Sequence, residues 1–182
     1  MYSQNHGCQK VLIIGLDGCR PDALREAFTP HLDELIRVAA FSERGQAGTI
    51  TDSGPGWASI LTGVWHDKHG VRTNAFDGAN LERYPHFFCR LKEIRPTAYA
   101  VSIVHWGPIA KHLVAGADVS LERPSDIGVA RQARQILRDL DPMWSSSSST
   151  TLTLPGIKRG STRAVVRIAG RLSKRMLMSE KC

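Results

Sequence analysis

The sequence predicts an α/β fold with a mainly parallel sheet flanked by helices. Two uninterrupted apolar runs, Val11–Leu16 and Ala98–Val104, have the length and branched side chains of strands buried on both faces. Segments with helical spacing of apolar residues separate and follow them. In such folds ligands sit beyond the carboxyl ends of the strands, and Asp17-Gly18 directly follows the first run.

The elements follow in order. After the first strand, Pro21-Asp22 opens a short helix running to about Ala27. Thr29-Pro30 is an N-cap with proline at the first helical position. Leu32, Leu35, Ile36 and Ala39 give that second helix an apolar face, and Gly45 lies beyond its end. Ala47–Thr51 is expected to be a second strand, and Pro55–Thr62 a helix stopped by Gly63. Pro85–Ile94 is an amphipathic helix through Phe87, Phe88 and Leu91. Pro124–Leu140 is a longer one, with Ile127, Ala130, Ala133, Ile136, Leu137 and Leu140 on one side.

A chain of 182 residues, 42% hydrophobic and 23% charged, is large enough for one domain with a real core. It holds no apolar stretch long enough to span a bilayer. No apolar run precedes the first strand, so no signal peptide and a cytoplasmic location are expected. Cys8, Cys19, Cys89 and Cys182 show no CxxC spacing, which argues against a zinc ribbon or a disulfide scaffold.

The net charge of +7 is unevenly placed. Residues 143–182 hold eight Lys/Arg and a single acid, Glu180, so this segment carries the whole excess while residues 1–142 balance. The chain therefore divides near Pro142 into an α/β part, residues 1–142, and a basic, Ser-rich tail, residues 143–182. In the tail the strand expected after the last helix is missing, five serines (Ser145–Ser149) stand in its place, and only Arg163–Met178 reads as a helix.

Three groups of residues have chemical potential. Asp17, a carboxylate at a buried strand end beside a glycine, can bind a metal, although strand-Asp-Gly also occurs in other phosphate-handling folds. In Thr51–Val71, Ser53 precedes Gly54-Pro55-Gly56 at a helix start, where the helix dipole and unpaired N–H groups favour anions. The glycines let a tetrahedral substrate approach the backbone, but the same residues also make an ordinary capped helix, with Thr51 and Asp52 as rivals to Ser53. His66, Asp67 and His69 form a cluster better read as a loop with a His-Gly stop than as metal ligands.

Taken in order, VLIIGLDGCRPDAL, TPHLDELIRVAAFSERG and SGPGWASILTGVWHDKHGV resemble the alkaline phosphatase superfamily over roughly residues 10–140. The nearest branches are the type I phosphodiesterase/nucleotide pyrophosphatases and the sulfatase-like hydrolases. The resemblance implies an alkaline-phosphatase-like fold and a divalent metal site, usually two zinc ions. It makes Asp17 an early metal ligand, and Ser53 both the nucleophile and a metal contact. The implied reaction is attack of a metal-activated Ser53 alkoxide on a small-molecule phosphoester or sulfate ester, followed by hydrolysis of the covalent ester. Two positions depart from the patterns: Trp57 stands where sulfatases carry Arg, and Gly56 where nucleotide pyrophosphatases carry Asn. The balance favours a phosphoester substrate.

The family's later ligands, Asp and His motifs beyond the next strand, have no counterpart here, since residues 143–182 contain neither His nor Asp. Asp17 and Ser53 alone fall short of the roughly four ligands that zinc takes. A one-nucleotide shift of reading frame accounts for the tail. Serine codons of the TCN type become NTC codons for Phe, Leu, Ile or Val, so Ser145–Ser149 hide an apolar strand. Thr150, Thr151 and Thr153 become codons that include Asp and His, and Pro155–Ile157 can yield Gly-His. The expected product is a weakly active or inactive hydrolase fragment whose tail is disordered or out of frame. No specific nucleic-acid partner is expected. The alternative is a non-catalytic protein that binds nucleic acid or an anionic membrane through its basic tail.

Overall fold

The structure, a computed structural model, describes residues 11–140 and 164–171. Strand β1 (Val11–Leu16) leads into helices α1 (Pro21–Glu26) and α2 (Pro30–Val38). Helices α3 (Ser53–Thr62), α4 (His66–His69) and α5 (Phe87–Ile94) follow, then strand β2 (Ala98–Val104). Helix α6 (Gly107–His112), strand β3 (Val119–Glu122), helix α7 (Asp126–Leu140) and strand β4 (Ala164–Arg171) complete the order.

The four strands form one sheet in the order β1-β4-β2-β3. The α/β class stands, but the expectation of a mainly parallel sheet needs correction. β2 and β3 pair parallel, whereas β4 runs antiparallel to both β1 and β2. The helix expected over Arg163–Met178 is replaced over residues 164–171 by that strand. Val165, Val166 and Ile168 are β-branched, and the slot between β1 and β2 offers ladders on both sides. The five serines and the remainder of the tail lie outside the described residues.

Among the described residues the strand expected at Ala47–Thr51 is absent, since the segment pairs with none of the four strands. Both ends of α3 match the sequence pattern closely, with Gly63 ending it in the left-handed conformation at φ 73°. Among the shorter elements, α4, α6 and β3 have too few residues to show a period.

The sheet separates two apolar clusters. On one face Trp57, Leu61, Phe88, Ala100, Val104 and Ile109 pack together, joining α3, α5 and α6 to β2. On the other, Val101 and Ile103 meet Val129 and Ala133 of α7, with Leu12 and Leu16 of β1 against them. Along β2 this alternation is the period-two pattern of a strand covered on both faces, whereas β1, expected to be buried on both faces as well, holds no buried residue because little of the chain packs over it. At the amino end of β2, Lys92 of α5 reaches both Asp118 carboxylate oxygens at 2.7 Å, and one of them accepts the Ala100 N–H at 2.6 Å.

Candidate functional site

Asp17 is the first residue after β1, followed by Gly18 at φ 69°. One of its carboxylate oxygens is sealed from solvent. In the sheet register Gly15 of β1 and Val104 of β2 both face Val165 of β4. The carboxyl ends of β1 and β2 thus share one edge of the sheet, two strand spacings or roughly 10 Å apart.

Ser53 is the first residue of α3. Its helix start offers an anion fewer backbone donors than the sequence suggests. Pro55 has no N–H, the Gly56 N–H donates to the Asp52 carbonyl at 3.1 Å, and the Gly54 N–H donates to the Asn74 side-chain oxygen at 2.7 Å. With Oδ1 of Asn74 occupied, its NH2 group remains as a donor close to the Gly54 backbone, on a solvent-exposed residue. Asp52 makes no side-chain capping bond.

The two glycines of the turn differ. A Cβ on Gly54 would lie 2.8 Å from the Thr73 carbonyl oxygen, so glycine there admits the Asn74 loop. A Cβ on Gly56 would meet nothing within 4 Å, which leaves room for a ligand at the backbone. The Asn74 loop is anchored two residues later by Phe76, buried at a positive φ of 64°. Its ring stacks on His112 at 4.5 Å between centroids and meets Trp106 at 6.2 Å. Burial of a large ring offsets the cost of a left-handed backbone at a non-glycine residue.

The His66–His69 segment, expected to be a loop, is the short helix α4, and Gly70 ends it in the left-handed conformation as its His-Gly stop suggested. His69 is fully buried, and its Nδ1 accepts the Val71 N–H at 3.0 Å. The ring proton therefore sits on Nε2, which donates to the Ser59 hydroxyl at 2.9 Å. Burial, and after it the charge of His66, pushes this imidazole below its ordinary pKa. Among the described residues, no three His, Cys, Asp or Glu side chains come together as a metal site. Asp17 and Ser53, the two ligands expected from sequence, do not complete one.

Two polar contacts escape sequence reasoning. Asn74 stands in a loop remote from Ser53 in sequence, and only the folded chain brings it to α3. His105, just past β2, contacts Asp126 of α7 through Nδ1 at 3.1 Å, a pairing with no local sequence signal. Asp17 and Ser53 are joined by packing of their elements: the Cα of Gly15 lies against the outer ring of Trp57.

Residues 11–118 match the family model for type I phosphodiesterase / nucleotide pyrophosphatase. The bis(5'-adenosyl)-triphosphatase ENPP4 of Bos taurus is 31% identical over 75 residues, 41% of this chain and 17% of that protein. The Homo sapiens protein of the same name matches with the same identity and coverage. Ectonucleotide pyrophosphatase/phosphodiesterase family member 5 of Homo sapiens is 30% identical over 66 residues, 36% of this chain and 14% of that protein. The chain thus matches only about a sixth of the length of these curated relatives. No solved structure matches it significantly. The matched span takes in β1, Asp17, the whole Ser53–His69 region and β2, and on that ground the chain belongs to the type I phosphodiesterase / nucleotide pyrophosphatase family.

Proposed function

We propose that this chain carries the nucleophile half of a phosphoester hydrolase, with Ser53 as nucleophile, Asn74 as a phosphoryl-oxygen donor and Asp17 as the family's first metal ligand. The observation that carries the reading is the Gly54–Asn74 bond, which fixes the backbone next to Ser53 and holds an amide NH2 close to that backbone. Nucleotide-like phosphoesters and phosphoanhydrides are the substrate class, from the family and the names of the relatives. Sulfate esters fit less well, because Trp57 is turned into the core.

Among the described residues no donor set fits a resident zinc pair, so the chemistry assigned to this chain is limited to what its own groups do. Ser53 Oγ attacks phosphorus, the bond to the leaving oxygen breaks, and the serine proton passes to solvent. Asn74 donates to a non-bridging oxygen as charge develops there. With the metal ligands incomplete, turnover is expected to stay near the uncatalysed rate even with zinc added.

The test is peptide mapping by mass spectrometry after prolonged incubation with a bis-nitrophenyl phosphate diester. A nitrophenyl phosphate adduct on Ser53, absent from Ser53→Ala, is expected. An adduct elsewhere, or none, removes Ser53 as nucleophile, and robust zinc-dependent turnover would overturn the incompleteness of the site. The frame-shifted origin of residues 143–182 belongs to the same proposal. Sequencing the coding DNA around codon 142 should find a single-base change that restores an open frame containing Gly-His. If no such change exists, the tail is a genuine sequence.

A further inference from the structure

We infer that Trp57 is a positioning residue that sets how far the Asp17 strand end stands from the Ser53 helix, with Gly15 as its seat. The inference rests on reading Asp17 and Ser53 as parts of one site.

Gly15 is the only small residue in β1, where every neighbour is Val, Leu or Ile. It is not among the glycines with positive φ, so the strand does not need its conformational freedom. What the strand uses is the missing side chain. A Cβ on Gly15 would lie 2.3 Å from Trp57 Cη2 and 2.8 Å from Cζ3, closer than atoms can approach. A glycine inside a strand often marks such a close approach, and here the approaching group is an indole.

The ring is held from behind as well. Trp57 is only 7% exposed and belongs to the cluster that contains Phe88, Ala100, Val104 and Ile109. Packed interiors resist compression, so an indole caught between that cluster and the Gly15 backbone acts as a rigid spacer. Gly15 stands two positions before Asp17, the first residue past the strand end. Trp57 stands about one helical turn after Ser53. The spacer therefore connects the two functional residues over the shortest run of chain on each side. It also gives a role to the position where the sulfatase-like pattern places an arginine: here that side chain points into the core and orders the site from beneath.

The experiment uses the full chain with Cys8, Cys89 and Cys182 replaced by serine and a nitroxide label on the native Cys19, beside Asp17. The reading is the paramagnetic broadening of the Gly54 and Gly56 amide signals. Strong broadening is expected in the parent, and loss of most of it in Trp57→Ala and in Gly15→Ala. The outer ring that collides with a Gly15 side chain is absent from phenylalanine, so the double variant Gly15→Ala/Trp57→Phe should regain the parent's broadening. Unchanged broadening in folded single variants overturns the inference. If the single variants do not fold, the double variant decides, and a folded double variant without recovery also overturns it. The broadening does not depend on turnover. Failure of the Ser53 adduct experiment would remove the functional reading and leave the spacer to be judged separately.

Discussion

Helices α2 and α5 are both short, amphipathic and read correctly from their apolar spacing, yet α5 buries Phe88 completely and α2 buries no residue. The contrast extends to their surroundings. Among the described residues every fully buried apolar side chain lies between Pro55 and Ala133, while Val11, Ile13 and Ile14 of β1, Phe28, Leu35 and Val38 are exposed. Amphipathic spacing states which face is ready for burial. Whether burial occurs depends on a second surface, and residues 98–133 supply one to α5 that α2 does not meet.

The sharpest way to break this comparison is paired truncation. Phe88→Ala should lower stability by about 3–5 kcal/mol, and Leu35→Ala should change it by no more than about 0.5 kcal/mol. Urea unfolding of both variants measures the difference, and comparable losses would show that α2 is packed after all. Next in size is the clamp between α5 and β2. Asp118→Ala removes the acceptor of the Lys92 ammonium and of the Ala100 N–H, and should cost about 1–3 kcal/mol in the same assay.

The smallest effect is a pH dependence confined to the packed region. His69 and His112 both sit below their ordinary pKa, mainly through burial, with His66 and Lys111 respectively as the second cause. The unfolded chain then binds protons that the folded chain refuses. This stabilisation is complete above the ordinary histidine value of about 6.5 and is lost as pH falls from there toward the folded values. The melting midpoint should therefore drop between about pH 7.5 and pH 5.5, and less so in His69→Gln. Equal slopes in the two proteins would exclude His69 as a contributor.

The same contrast explains what could be read in advance. β1, β2 and helices α1, α2, α3, α5 and α7 carry their signals locally, through period, prolines and glycine stops, so the α/β class and the Ser53 helix were legible. Strand direction was not, because it depends on which segment fills the slot between β1 and β2. Nor was Asn74, whose bond to Gly54 joins the helix start to a loop 20 residues further along the chain. The helix start itself misled in one respect: its sequence advertises unpaired donors, but Asp52 and Asn74 have already taken two of them.

The placement of β4 bears on how the molecule is assembled in time. The ladder that holds β1 in the sheet joins Val11 to Ala169 and Leu16 to Ala164, so it spans nearly the whole described chain. Contacts of such long sequence separation form slowly, because a large loop must close before they are rewarded. The helix bearing Ser53 folds against near neighbours such as His69 and Asn74. The strand bearing Asp17 waits for residues 164–171 to be made. The two halves of the candidate site are therefore born at different moments, and in the interval the apolar edge of β1 is open to any other strand that reaches it first.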